Sequence, residues 1–170
     1  HAVERYIGDE AISQKWPVRF EAVPTGKRVL VVGAGPGGLS AAYHLARMGH
    51  TVEVYEAGSE AGGLLRTGVP DYRLPKDILD AEIERIKKLE ITIKLNHKVQ
   101  DVLAEKQAGH FDAVYVSVGA QLIHQEEFQY DNSVHITDAF SFFQRSKTDA
   151  SPYTKKKVVV LGSGPNRIGQ

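Results

Sequence analysis

The sequence predicts a three-layer α/β fold in which helices cover both faces of a mostly parallel central sheet. The first observation is the almost wholly apolar run at residues 28–32, which is typical of a strand buried on both faces. The second is that this run leads through a glycine-rich turn, residues 33–38, directly into a helical pattern. The third is a further strand pattern at residues 51–56, which completes the βαβ unit of a Rossmann-like domain.

The glycine turn has the spacing that binds the pyrophosphate of a dinucleotide. Gly33 permits the sharp turn off the strand, Gly35 lets a pyrophosphate lie against the backbone, and Gly38 allows helix and strand to pack closely. The N-terminus of the following helix offers unpaired N–H groups and the positive end of its dipole. The turn is therefore a candidate phosphate-binding site.

The second strand ends in an acidic residue, Glu56, which lies 18 residues beyond Gly38. A carboxylate at this position can accept hydrogen bonds from both hydroxyls of an adenosine ribose. A 2′-phosphate would meet Glu56 as a like charge, so we expect the bound nucleotide to carry none. The alternative is a Rossmann-like fold in which Glu56 is an ordinary solvated acid at a strand end.

The other elements are predicted from hydrophobic periodicity. A short N-terminal helix, with Val3, Ile7 and Ala11 on one face, precedes an extended segment that contains prolines. Residues 57–75 are too rich in glycine and proline for a regular element and too apolar for a free loop, which is typical of a functional loop. The predicted domain is completed by a helix at 76–89, a strand at 91–95, a weak helical turn at 101–107 and a buried strand at 112–120.

The domain organisation follows from these elements. Residues 1–24 form the N-terminal helix and lead-in, residues 25–150 the dinucleotide-binding domain, and residues 151–170 the start of a second unit. That last segment repeats the order of strand into glycine turn at residues 156–164. We therefore expect the chain to begin a second nucleotide-binding unit, to leave it unfinished, and to be cut from something longer.

Composition excludes several classes of function. The 21 basic and 21 acidic residues balance, so there is no electrostatic footprint for a nucleic acid or an anionic membrane. Without cysteine, the chain has no thiolate ligand for zinc or an iron–sulfur cluster, and its seven histidines lack metal-ligand spacing. No apolar run is long enough to span a bilayer and no signal peptide is evident, so we expect a cytoplasmic protein.

A longer stretch resembles a known group of flavoproteins. From the glycine turn to a second glycine pair, Gly62 and Gly63, the sequence resembles the extended dinucleotide fingerprint of flavoproteins. The run Gly-Val-Pro-Asp-Tyr-Arg-Leu-Pro at 68–75 and the strand end at 116–120 resemble the flavin domains of the glutamate synthase small (beta) subunit and of dihydropyrimidine dehydrogenase. The resemblance to these flavin domains covers residues 2–120, and the extended fingerprint favours FAD over NAD as the bound dinucleotide.

The resemblance also implies a set of FAD-binding residues in this chain. Arg73 suits a pyrophosphate because it is a permanent cation in a glycine-rich loop, although a surface ion pair with Asp71 or Asp77 is the alternative. For Val99 the alternative is plain core packing. The implied contacts are Gly33, Ala34, Gly35, Pro36, Gly37, Gly38, Glu56, Ala57, Gly62, Gly63, Leu64, Arg73, Val99 and Gly119.

The implied activity is that of an NAD(P)H-dependent flavin oxidoreductase. In such proteins the flavin domain takes electrons from NAD(P)H and passes them to an iron–sulfur or other redox partner, on another segment or subunit. The flavin domain is also discontinuous there, which implies that residues 25–150 are its first part and that the fragment alone is inactive. Hydride transfer between nicotinamide and flavin needs no acid–base pair from the protein, and no catalytic residue stands out. Two alternatives stay open: a non-catalytic nucleotide-binding or docking module, and an NAD-dependent dehydrogenase without flavin.

The final segment departs from this pattern. Three residues after Gly164 a third glycine or alanine is expected, and the sequence has Arg167. The string at 162–170 instead resembles a nucleotide-proximal loop of the carbamoyl-phosphate synthetase large chain. The ligand of the second unit is therefore left open.

Overall fold

The computed structural model describes residues 2–18 and 22–119. Everything expected for residues 120–170, including the second strand-and-glycine unit and Arg167, lies outside the described residues. In chain order the elements are α1 (Ala2–Ser13), β1 (Arg28–Val32), α2 (Pro36–Arg47), β2 (Thr51–Tyr55), α3 (Leu64–Thr67), α4 (Lys76–Lys87), β3 (Thr92–Lys94), α5 (Val102–Ala108) and β4 (Ala113–Val116).

These four strands form one sheet in the order β3-β2-β1-β4, and all three pairings are parallel. Val31 in β1 lies opposite Val54 in β2 on one side and opposite Tyr115 in β4 on the other. The predicted α/β, Rossmann-like fold is therefore confirmed. The strand order reverses between β1 and β4, and in open α/β sheets ligands bind at such a reversal, beyond the carboxyl ends of the strands.

Strand β1 is buried on both faces, as its apolar sequence predicts. Val31 belongs to the larger apolar cluster, which includes residues of α2 and α4. Leu30 and Val32 belong to a second cluster with Tyr55 and Phe111. Because alternate residues of a strand point to opposite faces, these two clusters are the two sides of the sheet.

Helices α2 and α5 begin in different ways. α2 starts with Pro36 at its first position, where the N–H that proline lacks would have no partner within the helix. α5 is capped by Asp101, whose carboxylate accepts the N–H groups of Leu103 and Ala104 at 2.9 and 3.0 Å. The segment expected to be a weak helical turn is therefore a capped helix of seven residues, and Gly109 is its C-cap residue.

Two sequence-based expectations were wrong. Residues 57–75 do contain a regular element, the four-residue helix α3, which is flanked by Gly63 and Gly68 and is too short to show a periodicity. Strand β4 is not buried, since Tyr115 and Val116 are 46% and 52% exposed. Within the described part of the chain β4 pairs with β1 alone, so it is an edge strand despite its apolar sequence.

Helix α1 forms as predicted, but its expected apolar face is largely exposed. Ala11 is buried, whereas Val3 and Ile7 are 70% and 50% exposed. Shared periodicity placed the three residues on one face, but only Ala11, near the end of the helix, is covered by the rest of the described fold.

A charged cluster links the first three strands on the face of the second apolar cluster. Oε1 of Glu53 accepts a hydrogen bond from Nη2 of Arg28 at 2.6 Å, and Oε2 lies 2.9 Å from Nζ of Lys94. Burial raises the pKa of Glu53, but Lys94 and Arg28 outweigh burial and hold that pKa below the ordinary value of 4.5. A carboxylate whose pKa is lowered on folding stabilises the fold above its unfolded pKa and loses this contribution as the pH falls.

The Glu53→Gln substitution should lower the free energy of unfolding by about 1–3 kcal/mol at neutral pH, because Arg28 and Lys94 lose a charged acceptor. The difference from the wild type should be smaller at acidic pH, because protonation of Glu53 removes the same interactions. Urea denaturation at both pH values measures this effect.

The control is Glu84→Gln, which removes the same charge from an exposed pair with Lys87 on α4. Exposed helical pairs contribute about 0.3–0.5 kcal/mol, so this variant should stay close to the wild type. Equal losses in the two variants, or a Glu53→Gln loss that does not change with pH, would contradict the stabilising role of the cluster.

Candidate functional site

The glycine turn lies at the carboxyl end of β1 and beside the segment that follows β4. Gly33 has a φ of +101°, and its N–H donates to Tyr55 O at 2.8 Å. A Cβ at this position would lie 2.3 Å from Ser117 O. Position 33 therefore requires glycine for two reasons: its φ is positive, and the backbone of Ser117 leaves no space for a Cβ.

Helix α2 and strand β1 approach each other closely at Gly38. A Cβ on Gly38 would lie 1.8 Å from Gly33 O, which agrees with the packing role expected of the third glycine. Gly35 differs, because a Cβ added there would meet no atom within 4 Å. The first helical hydrogen bond of this turn runs from Leu39 N to Gly35 O at 2.9 Å. The surface at Gly35 is thus open, next to the first-turn N–H groups of α2 that have no intrahelical acceptor.

The carboxylate of Glu56 points at the glycine turn and not into bulk solvent. Its Oε2 accepts the N–H of Ala34 at 2.7 Å, and its Oε1 accepts the N–H of Gly58 at 2.8 Å. The Glu56 backbone is also held, since its N–H donates to Lys94 O and its carbonyl accepts the N–H of His97, both at 2.8 Å. A carboxylate has about four lone-pair positions, so these two hydrogen bonds leave capacity for the two hydroxyls of a ribose.

The second glycine pair packs against the first turn. Gly62 N–H donates to Ala34 O at 2.8 Å, and a Cβ on Gly63 would lie 2.8 Å from Gly35 Cα. Both residues have positive φ, 122° and 51°. Leu64 follows directly as the first residue of α3 and is 49% exposed. The structure therefore brings together three features that are separate in the sequence: the glycine turn, Glu56 and the second glycine pair.

Arg66 anchors the segment that leads into the second glycine pair. The sequence did not predict this role. Its Nε donates to Ala61 O at 2.7 Å, and its guanidinium pairs with Asp80 of α4 and with Glu60. The side chain is only 12% exposed. An Arg–Asp pair 14 residues apart leaves no local signal, so only the folded structure identifies this contact.

The remaining predicted residues lie in four different settings. Ala57 is exposed between Glu56 and Gly58. Arg73 is exposed, and no contact among residues 22–119 brings its guanidinium to the glycine turn or to Asp71, which pairs with Lys76 at 3.2 Å. Val99 packs against the second apolar cluster, in agreement with the core-packing alternative. Gly119 follows β4 with a φ of +75°. FAD contacts at these positions stay predictions.

Ser117 is a further residue of the site that the sequence analysis did not select. It follows β4 directly, and its N–H donates to Val32 O at 2.8 Å. Its Oγ lies 2.8 Å from the place where a Cβ on Gly37 would be. The available signal was its position at the carboxyl end of a strand, two residues before a glycine.

Two classes of feature are absent from the described ranges. Residues 2–18 and 22–119 contain no group of three histidine, aspartate or glutamate side chains placed to hold a metal ion. The helices of the same ranges include none with the length and apolar character needed to cross a membrane.

A parallel βαβ unit whose glycine turn meets an acidic strand end defines a dinucleotide-binding domain of the Rossmann type. Comparison with known proteins agrees, since residues 31–86 match the family model described as "NAD(P)-binding Rossmann-like domain". The chain is also homologous to curated oxidoreductase subunits. It is 32% identical over 175 residues to the glutamate synthase (NADPH) small chain of Escherichia coli K12, across 95% of this chain and 37% of the relative.

Two more relatives are subunits of dehydrogenases. The chain is 38% identical over 118 residues to the NAD-dependent dihydropyrimidine dehydrogenase subunit PreT of E. coli K12, across 69% of this chain and 29% of the relative. It is 40% identical over 151 residues to the NADP(+)-dependent formate dehydrogenase subunit beta of Moorella thermoacetica, across 85% of this chain and 21% of the relative. The resemblance inferred from the sequence is therefore confirmed.

The chain spans only part of these relatives, between about a fifth and two fifths of their length. Among solved structures, FprA of Mycobacterium tuberculosis in complex with NADPH matches with a TM-score of 0.61 and 22% identity, over 72% of this chain and 29% of that one. This likeness supports the fold.

The two glycines of the turn should respond differently to alanine. Gly38→Ala should lower the free energy of unfolding by about 1–3 kcal/mol, because the methyl group would meet the carbonyl of Gly33. Gly35→Ala is the control, since its methyl group would enter open space at an ordinary φ of −75° and should change stability by less than about 1 kcal/mol. Urea denaturation measures both, and similar losses would show that the close helix–strand contact is not what requires Gly38.

Proposed function

We propose that this chain is the FAD-binding part of an NAD(P)H-dependent flavoprotein oxidoreductase. The observation that carries the proposal is the convergence of the glycine turn, Glu56 and the second glycine pair at one end of the sheet. The relatives support it, because they are oxidoreductase subunits whose names include NAD, NADP(+) or NADPH. A lone glycine turn would not distinguish FAD from NAD, whereas the second glycine pair favours FAD.

The residues present fit an adenine dinucleotide. Glu56 would accept the ribose hydroxyls, since its carboxylate is held by Ala34 and Gly58 with acceptor capacity left. The pyrophosphate would lie against Gly35 at the N-terminus of α2, where open backbone and unpaired N–H groups occur together. Bound FAD would supply the redox chemistry, taking a hydride from NAD(P)H and passing electrons onward.

The proposal extends to the electron partners. NAD(P)H would be the donor, and an iron–sulfur or other redox centre on a further segment or subunit would be the acceptor. This chain has no cysteine, so it cannot supply thiolate ligands for such a cluster. The expected location is the cytoplasm, and neither a nucleic acid nor a membrane is an expected partner.

Ligand-dependent stability tests the choice of cofactor. FAD should raise the melting temperature of the chain more than NAD⁺ or NADP⁺, because a ligand that binds only the folded state stabilises it, by about 2.7 kcal/mol at 100 times Kd. A larger shift with NAD⁺ would favour the dehydrogenase without flavin. No shift with any of the three would favour the non-catalytic docking module and contradict the proposal.

The Glu56→Gln substitution tests the ribose contact. FAD binding should weaken by about tenfold to a hundredfold, because hydrogen bonds to a carboxylate contribute about 1.5–3 kcal/mol. Wild-type protein should also prefer ADP-ribose to its 2′-phosphorylated form, and this preference should shrink in the variant, since the like charge is gone. Isothermal titration calorimetry with FAD, ADP-ribose and the 2′-phosphorylated ADP-ribose measures the two effects.

Glu84→Gln, on the exposed face of α4, is the matched control for the lost charge. The melting temperature without ligand shows whether Glu56→Gln has also disturbed the loop that holds Gly58. Unchanged FAD affinity and an unchanged preference for ADP-ribose in a stably folded Glu56→Gln protein would remove Glu56 from the site.

A further inference from the structure

Ser117 lies beside the expected phosphate site, but it is not one of the FAD contacts that the sequence resemblance implies. It lies directly after β4, on the far side of the strand-order reversal from the glycine turn. Its backbone is bound to the end of β1 through the hydrogen bond to Val32 O at 2.8 Å. In a sheet of this kind, the crevice between the ends of β1 and β4 is where ligands bind. The segment that begins with Ser117 is in direct contact with the glycine turn, because a Cβ on Gly33 would lie 2.3 Å from Ser117 O.

The hydroxyl of Ser117 faces the first turn of α2. Its Oγ lies 2.8 Å from the place of a Cβ on Gly37, so that residue 37 has room for a side chain only if the hydroxyl moves. Gly37 is not one of the three glycines that the dinucleotide fingerprint requires, at 33, 35 and 38. The contact with Ser117 gives a physical reason for a glycine at this fourth position.

The same hydroxyl has no hydrogen-bond partner among residues 2–18 and 22–119. The Ser117 side chain is half-buried, and it lies beside first-turn N–H groups of α2 that have no intrahelical acceptor. An unpaired hydroxyl next to unpaired N–H donors forms a surface with several donors and few acceptors, which suits an anion.

We propose that Ser117 is a phosphate-binding residue, whose hydroxyl donates a hydrogen bond to a pyrophosphate oxygen of the dinucleotide at the N-terminus of α2. The inference rests on the proposed function, because it needs the dinucleotide site at the glycine turn. It adds a contact from β4 to a site otherwise built from β1, β2 and the second glycine pair. Gly37 keeps this hydroxyl in position, because its missing side chain leaves the space that Oγ occupies.

The test measures ADP binding to the 170-residue chain by isothermal titration calorimetry. ADP carries the ribose and the pyrophosphate without the flavin, so the result depends on this end of the site alone. Ser117→Ala should raise the Kd for ADP by about tenfold, the expected effect of losing a hydrogen bond to a charged group. Ser40→Ala, the same change on the exposed side of α2, should leave the Kd within about twofold.

A double-mutant cycle with Gly37→Ala separates a phosphate contact from simple packing. Gly37→Ala should weaken ADP binding in the wild type, because the methyl group displaces the Ser117 hydroxyl. In the Ser117→Ala background, the same substitution should cost clearly less, which gives a coupling between the two positions. Adenosine, which has no phosphate, should bind all four proteins equally, as measured by ligand-observed NMR.

The outcomes distinguish this inference from the proposed function. If the wild type and Ser117→Ala bind ADP with the same Kd, or if the two substitutions are additive, the Ser117 contact is wrong and the dinucleotide site stands. If Ser117→Ala weakens adenosine and ADP equally, the residue acts through packing and not through phosphate. If the wild-type chain binds neither ADP nor FAD, both the inference and the proposed function fail.

Discussion

The close contact between helix α2 and strand β1 is the constraint on which the rest of the site depends. The first turn of α2 comes so near to the end of β1 that a single methyl group on Gly38 would overlap the carbonyl of Gly33. This contact puts the N-terminus of a twelve-residue helix directly above the carboxyl ends of parallel strands. Electrostatics then makes that position favourable for an anion, because the N–H groups and the helix dipole act in the same direction.

Each neighbouring element is attached to this turn through backbone atoms. Glu56 is bound to the N–H of Ala34, and the second glycine pair is bound to the carbonyl of the same residue. The segment after β4 is in contact with Gly33. The N–H and the carbonyl of Ala34, a fully buried residue, connect two parts of the site, so main-chain geometry sets the positions of these parts relative to the turn.

The sequence predicts the parts of this arrangement that are local. A continuous apolar run predicted β1, and the glycine spacing predicted the turn, because both signals lie within a few residues of each other. Burial of β4 was not predictable from its composition, since burial depends on which strand stands beside it. Helix α3 was missed because four residues between glycines carry no periodicity. Arg66 and Ser117 were missed because their contacts join segments that only folding brings together.

The distribution of hydrogen-bond donors would allow the Glu56 carboxylate and the pyrophosphate of a ligand to lie close together in one site. A carboxylate and a pyrophosphate repel each other as like charges, so each is more stable when it has hydrogen-bond donors of its own. Here the Glu56 carboxylate is satisfied by Ala34 and Gly58, whose N–H groups lie outside the helix. The first-turn N–H groups of α2 would then be left for the phosphate of the proposed ligand, and the remaining acceptors of Glu56 for its neutral hydroxyls. This division favours a ligand with an unmodified ribose next to a diphosphate, since a second phosphate on the ribose would meet the carboxylate without a donor between them.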